Sequence, residues 1–299
     1  MNGTAVACVV EHVMKNQIKT ILLLGVLSAI LIGFGAMLGR QWVVGFTLLA
    51  LALNLGAYFF SDKIVLRMHR AQPIDEHQAP RLYAVVRELA MRAEIPMPRI
   101  YRIPSPQPNA FATGRNPANG VVAVTDGILQ ILTERELRGV LAHEIGHVKN
   151  RDILVSTIAA AVAGAIAYIA NMLQFTAIFG GGNDEDAPSP MAALALAIVA
   201  PIAATLVQLG ISRSREYLAD ETGARLSGDP EALASALEKL ERAAHVVPPA
   251  TAAPSTASLF IVNPFAGMRG GMARLFSTHP PMPERVRRLR GMQFVRYAA

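Results

Sequence analysis

Two uncharged apolar stretches near the N-terminus constrain the fold of this chain more than any other sequence feature. Residues 21–38 and 42–60 contain no Asp, Glu, Lys or Arg, and only a short Gly-Arg-Gln connector separates them. An α-helix of about 20 apolar residues crosses the roughly 30 Å hydrocarbon core of a bilayer. The sequence therefore predicts an N-terminal transmembrane hairpin within residues 1–60. A cleaved signal peptide is disfavoured, because the second stretch follows at once without a cleavage site.

A second pair of uncharged stretches lies in the middle of the chain, at residues 153–179 and 191–212, on either side of an acidic loop at 180–190. They predict a second membrane hairpin over residues 153–212, and so about four transmembrane helices in all. The alternative is a pair of long buried helices in a soluble domain, because these stretches are Ala-rich rather than Leu-rich. The chain is 52% hydrophobic and 17% charged, which is too apolar for an ordinary soluble protein.

Basic residues border the apolar stretches on one side only, and this pattern predicts the orientation of the protein in the membrane. The flanking residues are Lys15, Lys19, Lys63, Arg67, Arg70, Lys149, Arg151, Arg213 and Arg215. The loop at 180–190 has none. Under the positive-inside rule, soluble parts at 61–152 and 213–299 face the cytoplasm. The net charge of +6 then suits anionic lipid headgroups, so we expect a lipid partner and no nucleic acid.

The first soluble part contains the sequence His143-Glu144-Ile145-Gly146-His147, preceded by a capping-box pattern at Thr133 and Glu136 that predicts a helix. Residues four apart on a helix project from one face, so His143 and His147 can share a metal ion. Glu144 falls beside the metal, where its carboxylate can take a proton from the attacking water. This spacing is typical of zinc hydrolases.

Catalytic zinc needs a third protein ligand, and the sequence points to a helix after the second hairpin. A metzincin is excluded, because Asn150 and Ile153 stand where that class has glycine and histidine. The acidic residues of the loop at 180–190 suit a solvated turn. Glu216 and Asp220 lie one helical turn apart, so one carboxylate can bind zinc while the other orients a zinc histidine. We assign Glu216 to the metal.

Short strand-like runs at 99–103, 109–113 and 121–125 precede the metal-binding helix, and helices are expected at 79–95 and 229–244. The predicted fold class is therefore α+β and mainly helical. A zincin-like catalytic domain, made of a short sheet and the metal-binding helix, is combined with two membrane hairpins.

Several separate blocks of the chain resemble the HtpX family of membrane zinc metalloproteases, which are relatives of the CAAX prenyl endopeptidases. The blocks are the runs 109–114, 142–150, 214–220 and 278–281, followed by Glu284 and Arg285. The resemblance extends from about residue 70 to the C-terminus, and the flanking apolar segments also fit it.

The resemblance implies one zinc ion on His143, His147 and Glu216, with Glu144 as the catalytic base, in agreement with the spacing. It also implies roles for residues that the spacing leaves open. Asp220 and Asn150 would support the metal ligands, and His279 would stabilise the oxyanion. Asn109, Ala110, Phe111 and Ala112 would form an edge strand that pairs with substrate.

The sequence thus predicts a zinc endopeptidase that cuts polypeptides, membrane proteins among them, at the cytoplasmic face of the inner membrane. The resemblance implies quality control of misfolded membrane proteins under stress. Two alternatives stay open here: a site-specific processing endopeptidase of the CAAX type, and a non-catalytic zinc-binding membrane protein. The second is disfavoured because structural zinc sites usually take four protein ligands, many of them cysteine, and the chain has a single cysteine.

Overall fold

The computed structural model describes residues 39–160, 213–246, 259–262 and 280–292, together with Ala163 and isolated positions between 18 and 36. The described part is mainly helical and contains one small mixed sheet, as predicted. In chain order its elements are α1 (Trp42–Met68), β1 (Gln72–Pro73), α2 (Pro80–Ala93), β2 (Arg99–Ile103), β3 (Ala110–Thr113), β4 (Val121–Thr125), α3 (Asp126–Ile131), α4 (Glu134–Lys149), α5 (Arg213–Ser227), α6 (Pro230–Val246) and α7 (Met282–Arg290).

The sheet has the strand order β1-β2-β4-β3, so β3 lies at one edge. Strands β2 and β4 run parallel, with Tyr101 opposite Ala123, and β3 pairs antiparallel to β4, with Phe111 opposite Ala123. Every residue of β4 is buried. Its unbroken Val- and Ala-rich sequence, without polar alternation, is what a strand covered on both faces requires.

Two apolar clusters cover the two faces of this sheet. The larger one joins the sheet to α2, α4, α6 and α7, with Leu89, Ile128 and Leu141 fully buried. The smaller one joins Phe111 of β3 to the lower end of α1, to Ala160 and to Leu259. The sheet therefore connects the metal-binding helix on one side to the apolar helix α1 on the other.

Helix α1 is the one helix within the described residues that is long and apolar enough to cross a membrane. Its first two thirds expose large apolar side chains, whereas Val65 and Leu66 near its end are buried against the sheet. Exposed apolar surface of this extent suits lipid rather than water. Of the other predicted spans, 191–212 lies wholly and 153–179 largely outside the described residues, whereas the positions described between 21 and 36 are all helical. Four spans remain a prediction. The start of the third, residues 153–160, is helical and mostly buried.

Helix α4 begins as the sequence predicts, because the Thr133 side chain and the Glu136 side chain form a complete capping box. Helix α5 packs against α4 almost backbone to backbone. A Cβ added at Gly223 would lie 2.7 Å from the backbone nitrogen of His143, so any larger residue would push the two helices apart. This close approach brings the acidic residues of α5 to the histidines of α4.

The carboxylate of Glu136 also ties α4 to α6. It accepts hydrogen bonds from Ser235 Oγ and Lys239 Nζ, each at 2.7 Å, in addition to those from Thr133. Burial alone would raise the pKa of Glu136, but Lys239, Ser235 and Thr133 together lower it to about 2. A pKa below the ordinary value means that this charged group stabilises the folded state above about pH 4.5, and that the contribution is lost as the pH falls toward 2.

We expect Glu136→Gln to lower the free energy of unfolding by about 2 kcal/mol at pH 7, because Lys239 would lose its charged partner. The difference from wild type should shrink as the pH falls from about 4.5 toward 2, and chemical denaturation in detergent at several pH values measures it. The matched control is Glu134→Gln, an exposed position on the same turn, with an expected effect of about 0.5 kcal/mol. A pH-independent loss in Glu136→Gln would contradict this account.

Candidate active site

Three side chains from two helices point their ligand atoms at a common point. Nε2 of His143 and Nε2 of His147 lie 3.2 Å apart on α4. The Glu216 carboxylate on α5 lies 3.8 Å from the first nitrogen and 3.7 Å from the second. The three ligand atoms all lie within 4.8 Å of one another. The structure thus brings together the three residues that the sequence assigns to a metal.

The spacing of these atoms suits a tetrahedrally bound metal ion. With metal–nitrogen distances of about 2.0 to 2.1 Å, two tetrahedral ligands are separated by roughly 3.4 Å. The two imidazole nitrogens, at 3.2 Å, are close to that value. The carboxylate, at 3.7 to 3.8 Å from them, needs to shift by only a few tenths of an ångström. Three protein ligands would leave the fourth position for water or substrate, as in catalytic sites.

Each histidine has a buried carboxylate behind its other ring nitrogen. Nδ1 of His147 lies 3.1 Å from both carboxylate oxygens of Asp152, and Nδ1 of His143 lies 3.0 Å from Asp220 Oδ1. The contact between His147 and Asp152 is a hydrogen bond. The contact between His143 and Asp220 is equally close, but its angles are not those of a hydrogen bond. Such carboxylates hold the ring orientation and leave Nε2 available to a metal. The Asp220 position agrees with the role expected of it.

Sequence reasoning missed Asp152, which comes five residues after His147. The chain turns sharply after α4, with Arg151 in the left-handed conformation at φ 56°. This turn brings the Asp152 amide back to the His147 carbonyl at 3.3 Å and its side chain to the ring. A lone aspartate at the entrance to an apolar stretch is the signal that could have found it.

The sequence pattern also gave no role to Arg285, which follows the last of the blocks that carry the family resemblance. The side chain comes from α7 and is fully buried. Its Nε and Nη2 atoms donate to the two carboxylate oxygens of Asp220 at 2.8 and 2.7 Å. Burial alone would raise the pKa of Asp220, but Arg285 and His143 lower it to about 2. Asp220 therefore stays a carboxylate behind His143.

Glu144 lies beside the two histidines, and its carboxylate accepts a 2.7 Å hydrogen bond from the backbone N–H of Ala112 on β3. The side chain is buried, and this burial raises the pKa of Glu144 although His143 and His147 oppose the shift. A raised pKa makes this carboxylate a better proton acceptor than an ordinary exposed one. The edge strand thus positions the expected base.

In the metal-free site, His147 is a strong base. Burial would lower the pKa of its ring, but the charge and hydrogen bond of Asp152 raise it to about 10. A metal ion must displace this proton to bind Nε2, so metal affinity should fall as the pH falls.

The remaining residues singled out by sequence occupy different places. Ala112 lies in the site through its backbone, and Phe111 lines the cavity in front of the metal ligands. Asn109 is buried, and its side-chain amide bonds to the backbone of Leu259 and Ile261 instead of facing the cavity. Asn150 ends helix α4 and donates weakly to Thr222, at 3.4 Å, away from both histidine rings. His279 lies outside the described residues.

The cavity in front of the metal ligands is small, with a volume of about 40 Å³. Its polar lining consists of the two histidines, Glu144, Asp152, Ser156 and Glu216. Its apolar lining comes from β3, from Ile153 and from residues 259–261. A single water needs about 10 to 15 Å³ on this measure, so the space holds roughly three water-sized groups.

Comparison with known proteins gives consistent matches over nearly the whole chain. The model of Peptidase family M48 matches residues 76–293. A protein named "Protease HtpX homolog" from Syntrophobacter fumaroxidans is 57% identical over 285 residues, covering 93% of this chain and 100% of the relative. Proteins of the same name from Pelotomaculum thermopropionicum and Burkholderia mallei are 54% and 52% identical, each covering 93% of this chain and 99% and 98% of the relatives.

Among solved structures, the crystal structure of S. mikatae Ste24p is similar, with a TM-score of 0.49 and 18% sequence identity. The match covers 94% of this chain and 67% of that chain.

The geometry predicts different outcomes for the two acidic residues of α5. Glu216→Ala should abolish stoichiometric metal binding, because it removes a ligand atom. Asp220→Asn should weaken metal binding by about 10- to 100-fold, because it removes the charge behind His143 and the bidentate ion pair with Arg285. Metal titration of the purified protein, followed by elemental analysis, measures both. Glu221→Gln, on the exposed side of the same helix, is the matched control. Full metal occupancy in Glu216→Ala would show that the ligand is a different residue.

Proposed function

We propose that this chain, which belongs to peptidase family M48 and is a membrane metalloprotease, uses one zinc ion to cleave polypeptides at the cytoplasmic face of the bacterial inner membrane. The observation that carries the proposal is the convergence of His143, His147 and Glu216 beside a buried Glu144. Zinc is favoured because the donor set is two imidazoles and one carboxylate with room for one more ligand. Calcium and magnesium prefer all-oxygen sites.

A bound zinc ion would supply a Lewis acid that polarises the scissile carbonyl and acidifies the attacking water. The protein residues do the rest of the chemistry. Glu144 accepts the proton of that water and then returns it to the leaving nitrogen, so its carboxylate ends the cycle unprotonated. The bond from the Ala112 N–H holds this carboxylate in place during both transfers.

The edge strand β3 offers backbone groups for an extended substrate. In an antiparallel pair, residues whose backbone groups bond to the neighbouring strand alternate with residues whose backbone groups point outward. The bond from the Thr125 N–H to the Asn109 carbonyl shows that Asn109 is of the first kind. The backbone N–H and C=O groups of Ala110 and Ala112 therefore point away from β4. Since the Ala112 N–H already donates to Glu144, we assign the hydrogen bonds with substrate to the Ala112 carbonyl and to the backbone of Ala110. The substrate would then lie beside Glu144.

The position of the active site relative to the membrane follows from α1 and its charges. Helix α1 exposes apolar residues along 42–60 and ends in the basic residues Lys63 and Arg67 before it packs on the sheet. Under the positive-inside rule, this end and the catalytic site face the cytoplasm, close to the bilayer. A multi-pass topology and an active site next to lipid suit membrane proteins as substrates, and we assign the protein to their quality control under stress. Reporter fusions before and after α1 test the orientation, and a periplasmic signal after α1 would refute it.

Glu144→Gln provides the test of the proposed function. The amide keeps the side-chain volume and an oxygen for the Ala112 N–H but cannot take a proton, so we expect the hydrolysis rate of a disordered protein such as β-casein to fall by at least about 100-fold. The protein should be purified without metal in detergent and then loaded with zinc, and casein fragments quantified over time.

Metal content distinguishes a catalytic loss from a structural one. Glu144→Gln should bind zinc like the wild type, since Glu144 is not among the three ligand residues. Glu134→Gln, on the exposed first turn of the same helix, should keep full activity. Wild-type rates in Glu144→Gln would refute the assignment of the base.

A further inference from the structure

Residues 259–262, which we call the strap, form one side of the cavity in front of the metal ligands. The strap lies far in sequence from the metal-binding helix, yet Leu259, Phe260 and Ile261 all line the same cavity as His143 and Glu216. All three side chains are buried. The catalytic chemistry proposed above gives none of them a role, so their position requires its own explanation.

Directed hydrogen bonds hold the strap in place. The Asn109 amide donates to the Leu259 carbonyl and accepts from the Ile261 N–H, both at 3.1 Å. One buried side-chain amide thus satisfies two backbone groups on either side of Phe260. Arg285 donates to the Ile261 carbonyl at 3.2 Å, and the same guanidinium binds Asp220 behind the metal histidine. The strap is therefore tied to both the edge strand and the metal site.

Aromatic packing fixes the strap from its outer side. The ring of His69, just after the end of α1, lies 5.2 Å from the Phe111 ring and 6.1 Å from the Phe260 ring, tilted against both. His69 is buried, and burial lowers its pKa to about 4, so the ring is neutral at physiological pH. A neutral imidazole packs between two aromatic rings without a charge to desolvate. The wall of the cavity is therefore backed by the apolar cluster at the end of α1.

From this arrangement we infer that the strap is a specificity-determining wall of the cleft and that Asn109 is its positioning residue. The inference rests on the proposed proteolytic function and deepens it. With the strap in this position, the buried side chains of Leu259, Phe260 and Ile261 form one side of the space in front of the ligands, where the scissile carbonyl and the attacking water would lie. A substrate side chain next to the scissile bond on that side would meet the Phe260 ring. Substrates should therefore carry a small residue, such as Gly, Ala or Ser, at that position.

Mapping of cleavage sites tests this specificity. Zinc-loaded wild type, Phe260→Ala and Asn109→Ala each digest β-casein, and mass spectrometry gives the residue frequencies on both sides of every cut. We expect wild type to enrich small residues at one position next to the cut. In both variants, the preference for small over large apolar residues at that position should fall by about tenfold. The reason is that a pocket selects side chains by size, and removing or loosening the Phe260 ring would make room for larger ones.

Two control variants show whether a change in the cleavage profile is specific to the strap. Met91→Ala removes an exposed apolar side chain from α2, and Asn119→Ala removes an amide that bonds to Asn116 instead of the strap. Both should keep the wild-type cleavage profile. A merely structural loss in Phe260→Ala would lower all cleavage rates alike and leave the residue frequencies unchanged. A profile unchanged in both strap variants, or a wild type that prefers large residues at every position, would overturn the inference.

Hydrogen–deuterium exchange tests the positioning role without any reaction. In Asn109→Ala, exchange at the Ile261 amide should become at least about tenfold faster, while exchange in β2 stays as in wild type. Unchanged protection of Ile261 would refute the role of Asn109. If wild-type protein loaded with zinc cuts no casein at all, the proposed function fails, and the exchange result still decides whether Asn109 holds the strap.

Discussion

The close contact between α4 and α5 is the constraint on which the site depends. At Gly223 the two helices approach so closely that a single added Cβ would press on the backbone of His143. This approach sets the distance of about 3.7 Å between the Glu216 carboxylate and the His147 ring. A metal site with three ligands from two helices tolerates little variation in that distance. Glycine at 223 is therefore a requirement of the metal geometry as well as of packing.

Around this contact the interior holds an unusual amount of charge. Four carboxylates, those of Glu144, Asp152, Glu216 and Asp220, are buried near the two histidines, together with the guanidinium groups of Arg215 and Arg285. Burying a charge is costly unless it is paired, and the bidentate bond between Arg285 and Asp220 offsets much of that cost. The arrangement leaves acidic groups in excess at the ligand atoms themselves. Such a site favours a divalent cation, whose charge the carboxylates would balance.

The sheet connects the apolar helix α1 to this site. The end of α1 packs on the face of the sheet that carries Phe111, and the adjacent residue on β3 binds Glu144 through its backbone. The strap then joins the same cluster through Leu259 and contacts Arg285 on its other side. The metal ligands, on α4 and α5, are held by the other face of the sheet.

Much of the architecture could be predicted from the sequence, because local periodicity controls it. The apolar stretch of α1, the capping box of α4, the helical spacing of His143 and His147 and that of Glu216 and Asp220 all depend on residues within a few positions of one another. Strands β2, β3 and β4 were predictable for the same reason, whereas the two-residue strand β1 was not predicted. The spacing also showed that a carboxylate on α5 was available as a third ligand.

Only the tertiary structure decided which other groups support the ligands. Asp152 reaches His147 because the chain reverses at Arg151 in a conformation that no sequence motif announces. Arg285 meets Asp220 across 65 positions of the chain, and Asn109 meets Ile261 across 152. Sequence spacing carries no information about such contacts, because they arise only when separate elements pack. The sequence by itself determined the helices and which of their residues can hold a metal, because both depend on local spacing. Packing decided which distant groups lie behind those residues and around the cavity.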